Sequence, residues 1–352
     1  MGSSVQEPAR GARGRVTLQI IADALGVSTA TVSLALRNAP VVAEATRLRV
    51  HQAARDLGYT YNRGAAALRT ARSDMLAVAL SDVALPDHAA ILGAVEDTAR
   101  AAGRTILLGT TAEDLVRQEQ VLAMLREFRP DGLLIAPAAG TKAAALYHLV
   151  AAGIPVVQVA REVDGLAFDY VGSDETLAAC LAVEHLLALG HRRIGMIGGA
   201  EGVSSHRDRR RAFCEALQRA GVPVDCGWLL DGYGSRETGI AGMGRLLALK
   251  EAPTAVVCVD DLTAIGAMIG LARADLRPGR DLSVVGCGDA PEAVAFEPQL
   301  STVRAHHAAI GRRAAEVLMR RIAEPEAPPE RHVIPPELVV RASCARLERI
   351  AA

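Results

Sequence analysis

At 352 residues the chain is too long for one small domain and suggests two or three, and a hydrophobic share of one half lets it fill a large core. Aromatic residues make up only 3%, so the packing must rest on alanine, valine, leucine and isoleucine. The net charge of −1 hides an asymmetry: residues 1–72 carry ten arginines against Glu7, Asp23, Glu44 and Asp56, which leaves the rest of the chain acidic and suits a basic arm for polyanions joined to an unrelated body. No apolar run reaches the ~18 residues of a membrane-spanning helix. The stretch MGSSVQEPARGARGRV lacks the apolar segment of a signal peptide, and residues 1–15 read as a disordered leader. Cys180, Cys214, Cys226, Cys258, Cys287 and Cys344 are scattered without CxxC spacing, as expected of free thiols in a reducing cytosol.

Residues 16–36 read VTLQIIADALGVSTATVSLAL. Leu18, Ile21, Ala22 and Leu25 recur at i, i+3, i+4 and i+7, the apolar face of a short helix opened by Thr17. Gly26 supplies a turn, Val27 plugs the corner, and Ser28 caps a second helix with Val32, Ala35 and Leu36 as its apolar positions. Two short helices around a tight glycine turn make a helix-turn-helix, with an ordinary core hairpin as the alternative. In such a motif the second helix enters the major groove by its N-terminal end, which presents Ser28, Thr29, Ala30, Thr31 and Ser33. A third helix over residues 44–57 closes at Gly58 and completes a DNA-binding head piece over residues 16–60. Residues 61–73 form a basic hinge. Its AAAL run is too short to be a stable helix alone, can order on DNA, and can push Leu68 into the minor groove as an apolar wedge.

From Met75 the pattern changes to strands alternating with helices. The segments MLAVALS, TILLGT, DGLLIAP and IPVVQVA read as strands of a first series, and RRIGMIGG, WLLDG, TAVVCVD and LSVVGCG as those of a second beginning near Gly172. Helices of 10–15 residues between them predict parallel sheets covered on both faces, in two lobes. Open parallel sheets bind ligands at the carboxyl ends of their strands, which nominates Asp82 to His88, Arg161, Arg207, Asp260 and Asp289. Arg207 is placed just before a helix over residues 209–220, while Arg209, Arg210 and Arg211 read as a solvated cluster. The runs His191-Arg192-Arg193 and His306-His307 read as surface clusters. No dinucleotide, P-loop, nucleophile-elbow or HxxxH signature is present, so no catalytic residue, metal or cofactor is assigned.

A helix-turn-helix, a basic hinge and a two-lobed α/β body in that order resemble the LacI/GalR family of bacterial transcription regulators. GVSTATVSLAL with ATRLRV and LGY, EHLLALGHRRIGMIGG, PTAVVCVDDLTAIGAM, DLSVVGCGD and PQLSTVR carry the resemblance from about residue 16 to 344. It implies an all-α head piece followed by an α/β two-lobed body like a periplasmic binding protein. The expected function is a cytoplasmic, nucleoid-associated repressor that binds a pseudo-palindromic operator as a homodimer and is controlled by a small effector, a carbohydrate or derivative. The resemblance implies Thr17, Ser28, Thr29, Ala30, Thr31 and Ser33 as DNA contacts, Leu68 as the wedge, and Arg207 and Asp260 as effector contacts; Arg37 joins the expected DNA contacts, and His88, Arg161 and Asp289 join the expected effector contacts from their positions after the strands. The body would span residues 74–344, with lobe one over about 74–172 and 303–332, lobe two over about 173–302 and 333–344, and a tail over 345–352 too short in heptads to hold a tetramer. A periplasmic binding protein and an α/β enzyme are the competing classes.

The chain also departs from the family pattern. Leu34 stands in place of an arginine, Arg37 of an asparagine, Ala43 of the usual cap and Tyr61 of a proline. In the cleft Gly288, Ala160, Gly234 and the pair Asp87-His88 replace residues that commonly bind or stack on a sugar.

Overall fold

The computed structural model describes residues 16–37, 39–59 and 72–347. The chain divides into two compact units, residues 1–71 and 72–352; Leu68 and the leader lie outside the described residues.

The first unit holds α1 (Leu18–Leu25), α2 (Thr29–Leu36) and α3 (Glu44–Asp56). The Thr17 side chain accepts a hydrogen bond from the Ile20 amide at 3.4 Å, and Ser28 Oγ accepts one from the Thr31 amide at 3.0 Å, so each helix starts at the residue whose chemistry satisfies its free amides. Gly26 ends α1 at φ 66° and ψ 35°, a left-handed conformation that side chains resist. Ile21, Ala22, Val32, Ala35, Val42, Val50 and Ala54 form the small core. Ala43 gives α3 no side-chain cap.

The second unit opens with β1 (Met75–Leu80), α4 (Pro86–Ala101), β2 (Thr105–Thr110), α5 (Leu115–Glu127), β3 (Gly132–Ile135), α6 (Ala143–Ala151), β4 (Val156–Val159) and β5 (Asp169–Ser173). There follow α7 (Glu175–Ala188), β6 (Ile194–Ile197), α8 (Ser204–Arg219), β7 (Leu229–Leu230), α9 (Arg236–Leu247), β8 (Ala255–Cys258), α10 (Asp261–Arg273), β9 (Ser283–Cys287), β10 (Ser301–Arg304), α11 (His307–Ala323), β11 (Arg331–Ile334) and β12 (Glu337–Val339). The first sheet runs β11-β5-β4-β3-β1-β2, parallel throughout. The second runs β12-β10-β9-β8-β6-β7 and is parallel except at its edge, where β12 lies antiparallel to β10. Alternate strand residues point to opposite faces, so in β1 Leu76, Val78 and Leu80 pack towards α4 and α11 while Ala77 and Ala79 pack towards α5 and α6. Both faces of each sheet are covered, which is why its strands are continuous apolar runs.

The lobe boundaries expected from the sequence need correcting. Residues 303 and 304 belong to the second lobe, because β10 pairs with β9 and β12, and Val333 and Ile334 belong to the first, because β11 pairs with β5. The chain therefore crosses between lobes after β5, after β10 and after β11, and the Asp174 amide donates to the Ile334 carbonyl at 3.1 Å, which ties two of these crossings side by side. His191 is not on the surface. It is 3% exposed and contacts Thr254 Oγ1, Ser283 Oγ and the Ala345 carbonyl at 2.9–3.1 Å, anchoring the start of the tail.

Candidate functional site

On the first unit Ser28, Thr29 and Ala30 are exposed at the start of α2, with Thr31 partly exposed and its hydroxyl 2.8 Å from Ser28 Oγ. Thr17 and Arg37 are exposed as well, Arg37 donating from Nε to the Ser33 carbonyl at 3.2 Å. Small polar side chains around a helix N-terminus suit a close approach to base edges and phosphates. Ser33 is a correction: it is only 8% exposed, on the side of α2 that also buries Val32, and is not displayed with the others.

On the second unit a cleft of about 1030 Å³ opens between the lobes at the carboxyl ends of both sheets. His88 reaches it from α4, its Nδ1 2.9 Å from the Asp82 carbonyl and 3.3 Å from Ser81 Oγ. Arg161, just beyond β4, lines it and is paired with Glu113. Asp260 caps α10, with Oδ1 accepting from the Thr263 amide at 2.7 Å; burial raises its pKa, and the hydrogen bonds from Thr263 oppose this. The other oxygen, Oδ2, lies over Gly234, where a built Cβ would overlap it. Glycine in place of an aromatic residue at 234 is thus the condition for Asp260 to stand where it does, and Tyr233, about half exposed, lines the same cleft.

Two nominated residues are placed differently. Arg207 lies inside α8, outside the lining of the cleft, with 41% of its side chain exposed and its guanidinium on Asp164. The cleft arginine is Arg209, expected to be solvated but only 8% exposed. Residues two apart on a helix point about 200° from one another, so α8 can turn only one of the two inward. Arg209 Nε donates to Glu175 Oε2 at 2.9 Å, and its other nitrogens reach Glu175 and the Val259 carbonyl. Burial pushes the Glu175 carboxyl up, against the pull of Arg209. Asp289 lines the cleft, yet both its oxygens are taken, by Arg304 at 2.7 Å and Arg341 at 2.6 Å. Burial would raise its pKa, and these two arginines outweigh it and hold the carboxyl below the usual range.

The pair His306-His307 also belongs to the cleft and not to a surface cluster. His306 stands at φ 57° where the chain crosses back to lobe one, and burial pushes His307 and, further, His206 below the ordinary imidazole range. Burial would raise Asp87, but His88, His307, the His88 amide and Arg161 keep its carboxyl low. Among the described residues no cluster of histidine, cysteine and carboxylates is arranged to hold a metal, and no single helix is long and apolar enough to cross a membrane.

A helix-turn-helix unit followed by a two-lobed body with a cleft between its sheets defines a ligand-responsive DNA-binding regulator. Residues 17–62 match the bacterial regulatory proteins of the lacI family, and residues 183–344 match the periplasmic binding protein-like domain. The chain is 30% identical over 329 residues to the HTH-type transcriptional repressor PurR of Photobacterium profundum, covering 93% of this chain and 98% of that one. It is 28% identical over 335 residues to the HTH-type transcriptional regulator DegA of Bacillus subtilis, covering 95% and 99%. Among solved structures it is similar to a lac repressor dimer bound to operator and the anti-inducer ONPF, with a TM-score of 0.84, 26% identity, and coverage of 94% and 100%. It is also similar to a complex of the transcriptional regulator CelR with cellobiose, with a TM-score of 0.72, 29% identity and the same coverage. The chain belongs to the LacI family of bacterial regulatory proteins and is a DNA-binding transcription regulator.

Proposed function

We propose that the chain is a homodimeric repressor that grips a pseudo-palindromic operator through the N-terminal end of α2 and is released or tightened by a small hydroxylated molecule bound between its lobes. The observation that carries this reading is the pairing, in one chain, of a capped helix exposing Ser28, Thr29 and Ala30 with a cleft walled by two lobes that three chain crossings join. Thr17, Thr31 and Arg37 complete the proposed DNA contacts, and Leu68 is proposed as a minor-groove wedge on its chemistry and position in the sequence. In the cleft Arg209, Asp260, Asp87 and His88 are the proposed ligand contacts, with Arg161 held ready by Glu113. A lac repressor dimer on its operator and a relative holding cellobiose support the dimer, the DNA and the carbohydrate class. The relatives are regulators, which supports binding without catalysis in the cleft, and action in the cytoplasm at the nucleoid.

A ligand changes DNA binding only by the difference in its affinity for two lobe arrangements. The test is a gel shift with DNA from upstream of the chain's own gene, across a salt series, comparing the full chain with residues 72–352. The full chain should bind with steep salt dependence and the body should not; equal binding by the body would overturn the assignment of DNA contacts to α2.

A further inference from the structure

The interlobe cleft is lined by eight carboxylates and four arginines, and three of those arginines are already committed. Arg161 pairs with Glu113, Arg209 with Glu175, and Arg304 with Asp289. Asp261 is occupied too, by the Thr302 hydroxyl at 2.5 Å and the Ala290 amide at 2.6 Å. Asp82, Asp87 and Asp114 from the first lobe and Asp260 from the second remain, and among the described residues none of them forms an ion pair with an arginine or lysine. Arg312, the fourth arginine of the lining, forms no ion pair among the described residues, so one uncommitted arginine stands against four unpaired carboxylates and the cleft keeps an excess of negative charge.

Asp87 and Asp260 are the pair that matters. Asp260 Oδ1 is engaged by the Thr263 amide, whereas Oδ2 lies over Gly234 and is paired with no arginine or lysine of the described residues. Asp87 Oδ1 accepts a hydrogen bond from the His88 amide at 2.8 Å, and its Oδ2 receives none from the described residues. The two carboxylates belong to opposite lobes and the Asp87 charge raises the cost of ionising Asp260, so bringing the lobes closer concentrates like charge in the cleft. Tyr233 lines the same cleft and precedes Gly234, over which Asp260 Oδ2 lies, and a carboxylate and an aromatic ring in one site together favour an ammonium group over a neutral hydroxyl.

We propose that the effector of this cleft is a cationic hydroxylated small molecule, an amino sugar or a comparable amine, held by Asp260 beside the Tyr233 ring and faced by Asp87 from the other lobe. The inference rests on the reading of the cleft as an effector site. Its ammonium group removes the repulsion between Asp87 and Asp260 and thereby favours the closed lobes, which gives the ligand its differential affinity. Uronates and sugar phosphates would add charge of the wrong sign and are rejected.

Glucosamine, glucose and glucuronate present one ring with positive, neutral and negative charge; galactosamine, galactose and galacturonate repeat the series, and putrescine offers charge without a ring. Titrations of the full chain at neutral pH, read by calorimetry and by thermal shift, should show an amine binding at least about tenfold more tightly than its neutral counterpart. Asp260→Asn, which keeps a good helix cap, and Asp87→Asn should each remove most of that preference. A neutral or acidic sugar that binds as tightly as the amine, a preference that survives both substitutions, or no binding by any amine overturns the proposal. A gel shift on the same ligand-free samples tests the regulator reading separately: lost DNA binding with the amine preference intact overturns that reading alone.

Discussion

Arg207 in the second lobe holds Asp164 in the first with two nitrogens, Nη1 to Oδ2 at 2.6 Å and Nη2 to Oδ1 at 3.0 Å. Near it the Glu162 amide donates to Ser204 Oγ at 2.9 Å, so the lobes are fastened outside the cleft lining as well as by the chain crossings. Both partners of the ion pair are well exposed, which limits its worth to about 1 kcal/mol and makes it sensitive to salt. Arg207→Ala should change the affinity of a cleft ligand by less than about fivefold and leave ligand-free operator binding unchanged. A titration at low and high salt checks this; a much larger loss that salt does not alter would place Arg207 on the ligand.

Arg209 should behave otherwise. Arg209→Ala strands the Glu175 carboxylate, which is 12% exposed, and breaking a buried pair by removing one partner costs about 3–5 kcal/mol. The double change Arg209→Met with Glu175→Gln should recover much of that stability, because no buried charge is left unpaired, and still fail to respond to ligand. Denaturant melts and ligand titrations of the single and double variants separate the two effects.

Much of the fold was legible because its physics is local. Thr17, Gly26 and Ser28 fix the head-piece helices through cap and turn chemistry, and the apolar runs from MLAVAL to SVVGC announce strands buried on both faces. Less legible was the part set by long-range pairing. The strand Asp169–Ser173 reads DYVGS, with no long aliphatic run to announce it, and this conceals Glu175, which starts the helix just past it and is the partner of Arg209. The arginines of SSHRDRRRAF could be told apart only from the true start of α8 at Ser204: placing the helix at residue 209 left Arg207 free to point inward, when it is Arg209 that does. Tyr233, beside the glycine that replaced the expected aromatic, was passed over because its role depends on where Asp260 Oδ2 sits.

The head piece gives predictions of two kinds. Ser28→Ala removes the cap on α2 and should destabilise the head piece by about 1 kcal/mol, visible in thermal melts of the full chain. Thr29→Ala touches no cap and should leave the melt alone while lowering operator affinity about tenfold in a gel shift. Ser33→Ala, at a buried position, should alter operator affinity less than Thr29→Ala. Leu68→Ala should weaken operator binding far more than binding to random DNA, since a wedge gains only where the duplex kinks to accept it.

Asp261 confers a pH dependence of defined sign. Burial lifts its pKa to about 6, and the Thr302 and Ala290 hydrogen bonds only partly offset that. An unfolded aspartate titrates near ~3.9. Between the two values the folded chain holds the additional proton, so the stabilisation linked to this residue is full below about pH 4 and is lost as the pH rises through about 6. Asp261→Asn should remove that decline. The difference in melting temperature between variant and parent, followed from pH 4 to 7, should therefore grow in the variant's favour as the pH rises; a constant difference would show that Asp261 stays ionised throughout.

The last prediction concerns Gly234, which faces the cleft without touching a core cluster. A Cβ at this position overlaps Asp260 Oδ2, and no left-handed backbone conformation adds strain to the substitution. Gly234→Ala must therefore be accommodated by rotating the Asp260 carboxylate away, at the expense of its Thr263 hydrogen bond or of its aim into the cleft. Either route misplaces the acceptor by about an ångström, a displacement large enough to cost roughly 1–2 kcal/mol at a charge-assisted contact, or about tenfold or more in ligand affinity. The melting temperature should fall by only a few degrees, since Asp260 is one cap among many, and ligand-free operator binding should stay intact because the first unit is untouched. Calorimetric titration of glucosamine against Gly234→Ala and Asp260→Asn makes the comparison. Similar losses in the two variants would show that the glycine serves to seat the carboxylate, and a Gly234→Ala protein with full affinity would show that Oδ2 is not the ligand's acceptor.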